Sequence, residues 1–337
     1  MKAAFLRVPG EFQVREVPEP AVGPPHVLVE VQVCGIGSGE VLRAMDEAQD
    51  WERFGREFGG RVVRVGSEVT RLRPGDSAVW IPARPCGLCP QCLSGRPARC
   101  LEPVCGEARG CAERVVDHEK MWLPARGLRP IEMALVEPVT AALDLVAAGD
   151  VPPGGEVAVI GAGPLGLLAT LLAKQLGAAR VFVVDLAANR VRLERAEQLG
   201  AFATISADEE DVAEALHGHA PDGVDSVLVT ASPGSLPLAV ELCALGGTVA
   251  FAGVLPGEDR HATLDAYELQ RRRLILRSAP NHPPLRWPQA LDLLRRGVVD
   301  AERIYSGVFP LADVAEAFAA AAAPQDGTIK AAVLIQA

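Results

Sequence analysis

The chain has 337 residues, enough for two domains at roughly 150 residues each. Its 33 basic and 43 acidic side chains give a formal charge of −10, which argues against a nucleic-acid binder, since that needs a net basic face. With 49% hydrophobic and 23% charged residues the chain is globular, not disordered, and its longest uncharged stretches, 157–173 and 242–257, are too short and too glycine-broken to span a membrane.

In chain order, residues 27–33 alternate apolar and polar side chains, the period-2 signature of a half-buried strand. Gly23-Pro24-Pro25 and Pro74-Gly75-Asp76 punctuate this region, and the first 145 or so residues read as mainly β. The N-terminus reaches Arg7, Pro9 and Glu11 without a long apolar run, so no signal peptide is expected and a cytoplasmic location follows.

Eight cysteines are present. Cys34, Cys105, Cys111 and Cys243 are scattered, whereas Cys86, Cys89, Cys92 and Cys100 form C-x2-C-x2-C-x7-C. In a reducing compartment such clustered thiols read as metal ligands before disulfides. Four thiolates within one short segment can close a tetrahedron around zinc and leave no position for water, which predicts a structural site. An iron–sulfur cluster would want a shorter final spacing. Free thiols or disulfides are the alternative.

Pro152-Pro153-Gly154-Gly155 predicts an entry turn, after which strands and helices alternate. Strands are predicted at 157–160, 181–185, 202–205, 225–230, 248–253 and 273–278, and helices at 164–176, 187–199, 208–216 and 235–245. Such alternation implies an α/β region with a parallel sheet covered on both faces. Helices at 287–296 and 311–323 and a last strand at 331–336 complete the chain.

Gly161-Ala162-Gly163-Pro164-Leu165-Gly166 fits G-x-G-x-x-G between a predicted strand and a predicted helix. Gly161 permits the tight turn, Gly163 lets a pyrophosphate approach the backbone, and Gly166 brings the helix close to the sheet. The helix N-terminus, with Pro164 and Leu165 in its first turn, offers N–H groups and a positive dipole end to phosphates. Asp185 ends the next strand. A carboxylate there accepts hydrogen bonds from ribose hydroxyls and repels a 2′-phosphate, favouring NAD over NADP. Arg190 is placed to stack on the adenine; a solvated helix arginine is the alternative.

Together these features resemble the medium-chain dehydrogenase/reductase superfamily, in its zinc-containing alcohol, sorbitol and threonine dehydrogenase branch. The resemblance covers essentially the whole chain and extends to Gly75-Asp76, Val136-Glu137-Pro138 and Phe309-Pro310-Leu311. It implies a GroES-like β domain at 1–146 carrying the zinc lobe at 86–100, a Rossmann NAD-binding domain at 147–279, and a return to the first domain at 280–337. It further implies one structural zinc per chain, NAD as cofactor, a small-molecule substrate and a homodimer or homotetramer.

Where the family carries its first catalytic zinc ligand, the cysteine of G-I-C-G-[TS]-D, this chain reads Gly35-Ile36-Gly37-Ser38-Gly39-Glu40. Where it carries the histidine of G-H-E, this chain reads Gly55-Arg56-Glu57. Gly39 stands in place of a proton-relaying hydroxyl, while Glu57 and Glu137 keep their family positions. Glycine supplies no ligand and a guanidinium opposes a divalent cation, so the catalytic zinc is expected to be absent. Arg56 is expected to fill the space and pair with Glu57 or Glu137. It then serves as inert packing, as a donor to a substrate carbonyl, or as part of an altered metal site. Cys34 reads as a small core residue rather than a displaced ligand.

The resulting reading is an NAD(H)-dependent oxidoreductase that interconverts a secondary alcohol, of polyol or sugar-like type, with a ketone. Arg56 would be the oxyanion donor and Ser38 or Glu57 the proton carrier. The alternatives are a zinc-independent reductase of an activated C=C or C=N bond, and a non-catalytic NAD(H)-binding protein. His282, after the last strand of the alternating region, is a weaker catalytic candidate. Trp51 and Trp80 could line a substrate pocket or simply pack.

Overall fold

A computed structural model describes residues 1–253, 260–281, 284–322 and 327–336. It divides into two units, residues 1–137 with 282–337, and residues 138–281. The first boundary falls inside the helix Pro130–Ala148, earlier than the boundary after residue 146 that the family resemblance implies. That 19-residue helix is absent from the mainly-β reading of the first 145 residues. Its Met133-to-Val136 stretch is buried all round, so no polar face breaks the pattern into a helical period. Among the described residues no helix is long and apolar enough to cross a membrane.

The second unit holds a six-stranded parallel sheet. Its order is Ala203–Ser206, Arg180–Asp185, Glu156–Ile160, Val224–Val229, Cys243–Phe251 and Ile275–Ser278. The central strands are near-continuous Val, Ile and Ala with almost no exposed surface, as a sheet covered on both faces requires. The predicted helix at 235–245 stops at Leu242, and Cys243 onward joins a strand. Pairing of Cys243 with Val224, with a register shift beyond it, extends that strand past its apolar run. A short helix, Ala266–Arg271, was not foreseen.

In the first unit one sheet runs Trp122–Pro124, Ser77–Trp80, Glu57–Val65, His26–Gly35, Lys330–Leu334 and Tyr305–Pro310, and Arg114–His118 also pairs with His26–Gly35. The central strand has Gly35 opposite Glu57 on one side and opposite Ala332 on the other. Tyr305 in turn lies opposite Lys330. The register thus gathers Gly35, Glu57, Lys330 and Tyr305 at one end of four adjacent strands.

Phe58, the residue after Glu57, stacks on Trp80 with ring centroids 5.0 Å apart. Trp80 is fully buried, and its indole N–H donates to Asp117 Oδ2 at 2.8 Å. That oxygen also accepts from the backbone N–H groups of Glu107 and Ala108. Trp80 therefore packs in the core and does not line a pocket. Trp51 lies between the guanidinium groups of Arg7 and Arg15, at 4.8 and 4.5 Å from its ring. Replacing Trp80 by Ala removes a buried aromatic volume and one donor from Asp117. We expect a loss of about 3–5 kcal/mol, read as a shift of the urea midpoint; a loss below about 1 kcal/mol would mean that this core does not hold the strand end in place.

Candidate functional site

The strand Glu156–Ile160 runs into the glycine loop and then the helix Pro164–Gln175, whose N-cap is Gly163. Gly161 has φ +103°, a conformation that glycine adopts without strain. A Cβ on Gly166 would stand 1.8 Å from the Gly161 carbonyl oxygen, so only glycine lets the helix start this close to the loop. A Cβ on Gly163 would meet nothing within 4 Å, and the backbone there is open to a ligand. Asp185 Oδ2 accepts from the Ala162 N–H at 2.7 Å, and Oδ1 accepts from the Leu186 N–H and the Asn189 amide. The predicted phosphate loop and acid are thus joined by a hydrogen bond. An open loop, a helix N-terminus and an adjoining acid fit a dinucleotide.

Arg190 is exposed and pairs with Glu194 at 3.2 Å. The arginine whose charge meets that of Asp185 is the half-buried Arg192, and burial lowers its pKa. Helical period separates the two: Arg190 and Arg192 project from different sides of Arg190–Gln198.

The predicted metal lobe is assembled. The sulfur atoms of Cys86, Cys89, Cys92 and Cys100 all lie within 4.8 Å of one another, with Cys86 to Cys92 at 4.0 Å and Cys89 to Cys100 at 3.9 Å. Four sulfurs at about 2.3 Å from one centre fit those separations. Backbone N–H groups of Leu88 and Cys89 point at the Cys86 sulfur at 3.4 and 3.3 Å. They lower its pKa, and N–H groups of Leu101 and Cys92 pull Cys89 down to about 6. Both effects favour the thiolate, the form that binds metal. Among the described residues this is the sole cluster of three or more His, Cys, Asp or Glu side chains whose ligand atoms converge.

At the strand end in the first unit, Glu57 is buried and Lys330 Nζ stands 2.7 Å from its Oε2. The angle falls outside hydrogen-bond geometry at Oε2, so this is a contact of charges. Lys330 Nζ also donates to the Ile36 carbonyl at 3.0 Å. A Cβ on Gly37 would come within 2.7 Å of Glu57 Oε1, and a Cβ on Gly35 within 2.5 Å of Glu57 Oε2 and of the Tyr305 hydroxyl. The carboxylate therefore lies over both glycines. Tyr305 is buried, and desolvation, followed by the charges of Glu57, Cys34 and Glu137, pushes its pKa well up, so it remains a neutral phenol.

The expected pairing of Arg56 with Glu57 is not what forms: Arg56 is exposed, and the cation beside Glu57 is Lys330. Glu57 opens a strand and turns inward, while Arg56 precedes the strand and leaves its charge in water. Glu137 is half-buried in the helix Pro130–Ala148, close enough to act on Tyr305. Ser38 is exposed at the first turn of the helix Ser38–Leu42. Cys34 is buried beside Cys111, whose pKa is raised first by desolvation and then by the Cys34 thiol. It belongs to the core. His282 lies outside the described residues.

Lys330 and Tyr305 were not singled out from the sequence. The signal was there for Lys330: it is one of only four lysines and it opens an otherwise apolar strand, where a charge needs a partner.

Two family models match the chain, the alcohol dehydrogenase GroES-like domain at residues 23–128 and the zinc-binding dehydrogenase at 164–296. An L-threonine 3-dehydrogenase of Bacillus velezensis is 30% identical over 90% of this chain and 90% of its own length. A sorbitol dehydrogenase of Bacillus subtilis is 28% identical over 94% of this chain and 92% of its own. The crystal structure of a zinc-binding dehydrogenase from Sinorhizobium meliloti 1021 bound to NADP superposes with a TM-score of 0.88 at 30% identity, covering 99% of each chain. With both domains matched in order along the chain, this protein belongs to the medium-chain, zinc-type alcohol dehydrogenase-like family and is an oxidoreductase.

Proposed function

We propose that this chain is an NAD(H)-dependent dehydrogenase that interconverts a secondary alcohol of polyol or sugar-like type with a ketone, and that it does so without a catalytic zinc. The names of the relatives, a sorbitol dehydrogenase and an L-threonine 3-dehydrogenase, support a secondary alcohol as substrate, and the first of them supports the polyol type. One observation carries the zinc-free reading: apart from the four-cysteine lobe, no described set of ligand atoms converges. Gly37 offers no side chain, Arg56 offers a cation, and Glu57 is engaged by Lys330. A catalytic zinc needs about three protein ligands and an open position, and these residues do not fit it. The four-cysteine lobe does fit a structural zinc, which would hold the 86–100 loop without taking part in chemistry.

The nicotinamide cofactor supplies the hydride acceptor. Gly163 and the N-terminus of Pro164–Gln175 would hold its pyrophosphate, and Asp185 its adenosine ribose. For oxidation the alcohol must also lose its hydroxyl proton. Glu57 Oε1, over Gly37, is the acceptor we assign, and Lys330 fixes that carboxylate from the other side. Ser38, exposed at the neighbouring turn, passes the proton on to water. In the reverse direction the same groups return the proton to the ketone oxygen as hydride arrives.

The decisive experiment combines turnover with metal content. Secondary alcohols and ketones of the polyol series, followed by NADH absorbance, should react at rates unchanged by chelators. Metal analysis should give one zinc per chain, falling to none in a Cys86→Ser, Cys89→Ser variant. Zinc remaining stoichiometric in that variant, or chelator-sensitive chemistry with the lobe zinc retained, would overturn the zinc-free reading.

Asp185→Gly should cut the preference for NAD over NADP by about ten- to a hundredfold in kcat/KM, the equivalent of about 1.5–3 kcal/mol for hydrogen bonds to a charged group. An unchanged ratio would remove Asp185 from the cofactor site.

Lys330→Met leaves Glu57 buried without its cation and should lower stability by about 3–5 kcal/mol. Adding Glu57→Gln should restore most of that loss but not the activity, because the acceptor is gone. Full activity in the double variant would refute the role given to Glu57.

A further inference from the structure

Outside these groups, a set of arginines stands beside Gly55. The backbone of residues 54–55 is hydrogen-bonded to that of 110–111, Gly110 N–H to Gly55 O at 2.9 Å and Cys111 N–H to Phe54 O at 3.1 Å. This pairing sets Arg53 and Arg56 against Arg109. Arg53 donates to the Arg109 carbonyl, and Arg109 donates to the carbonyls of Glu107 and Ala108. Both guanidinium groups are half-buried. Burial lowers the pKa of each, and their charges oppose one another; Arg56 and Arg43 act on Arg109 in the same sense.

Some arginines of this acid-rich chain find carboxylates, as in Arg7–Glu11, Arg129–Glu132 and Arg271–Glu268. Arg43 does so too, with Glu52. Others, such as Arg61, Arg272 and Arg295, donate to carbonyls. What sets the group beside Gly55 apart is that its guanidinium groups act on one another. Among the described residues, Arg53, Arg56 and Arg109 have no carboxylate within ion-pair distance. The acid nearest in effect is Glu40, which is buried with its Oε1 accepting from the Gly55 N–H at 3.3 Å. Desolvation raises its pKa, which weakens it as a counter-charge. Two half-buried guanidinium groups with the exposed Arg56 acting on one of them gain from an external anion, and guanidinium groups match the oxygens of phosphate or carboxylate in pairs.

Resting on the dehydrogenase reading above, we infer that the substrate carries an anionic oxygen group, a phosphate monoester or a carboxylate, bound by Arg56 and Arg109 with Arg53 behind them, on the segment that leads into the strand opened by Glu57. The substrate class is then a hydroxylated acid or a polyol phosphate rather than a neutral polyol. The reaction that supplies it must itself install the charge, by phosphorylation or by oxidation of a terminal carbon.

Kinetics of one polyol, its terminal phosphate monoester and the corresponding sugar acid, at low ionic strength, will test this. At least one of the two anions should exceed the neutral polyol in kcat/KM by at least tenfold. That ratio should fall at least tenfold in both Arg56→Gln and Arg109→Gln, mainly through KM, with Arg109→Lys recovering part of it. Whether phosphate or carboxylate gains more identifies the source of the anion. Equal or better use of the neutral polyol, or a ratio insensitive to both arginines, overturns the inference and leaves the dehydrogenase reading intact. If no alcohol is turned over, that reading falls instead. Calorimetric titration with the phosphate monoester under saturating NADH then decides the anion site by itself: binding lost in both variants sustains it, and binding absent or unaltered refutes it.

Discussion

The contact that holds the strand ends of the first unit, and on which its proposed chemistry depends, is the buried pair of Lys330 and Glu57. Two charges taken out of water are expensive, and their attraction offsets that only when the geometry is fixed. Here the sheet fixes it. Glu57 and Lys330 belong to strands on either side of His26–Gly35, one opened by the acid and the other by the lysine. Neither side chain could be moved by one residue without reversing the face it points to. The strand register therefore holds the carboxylate in place and sets one of its oxygens over Gly37.

The same constraint accounts for the glycines. Gly35 and Gly37 lie under the carboxylate, and a side chain at either would take the space that Glu57 occupies. In a zinc-type relative the position of Gly37 would be a ligand. In this chain the absence of a side chain and the inward turn of Glu57 are one arrangement. The two units thus differ in how they use glycine. In the dinucleotide loop Gly163 leaves room for a ligand from outside, whereas at the strand end the room is filled from within.

Much of this was legible in the sequence, and the reasons are local. The glycine loop, Asp185 and the cysteine lobe are short segments whose spacing is their function, so reading them needs no tertiary information. The parallel strands announce themselves as apolar runs between helices. The helix Pro130–Ala148 is hard to read because its Met133-to-Val136 stretch is buried on every side, and Pro138 inside it acts as a false stop signal. The partner of Glu57 was missed because it comes from Lys330, far along the chain, and only sheet order brings the two together. Arg56 is adjacent in sequence, which made it the natural choice, but adjacency at a strand start sends neighbouring side chains to opposite sides. Its charge therefore stays at the surface.

That separation gives the site a division of labour. A buried cation paired with a carboxylate has its charge locally compensated and can orient Glu57, but it has little left for attracting substrate. Exposed or half-buried arginines without carboxylate partners keep their field and can draw an anion from solution, all the more because the rest of the chain is acidic and repels it. A metal would do both tasks at once, polarising the reacting oxygen and anchoring the substrate. On the zinc-free reading proposed above, the two tasks would fall to different cations, one inside the sheet and one at its rim. An anchored anionic tail would then supply, through binding energy at a distance from the reacting carbon, some of the orientation that the metal would have imposed at the oxygen itself.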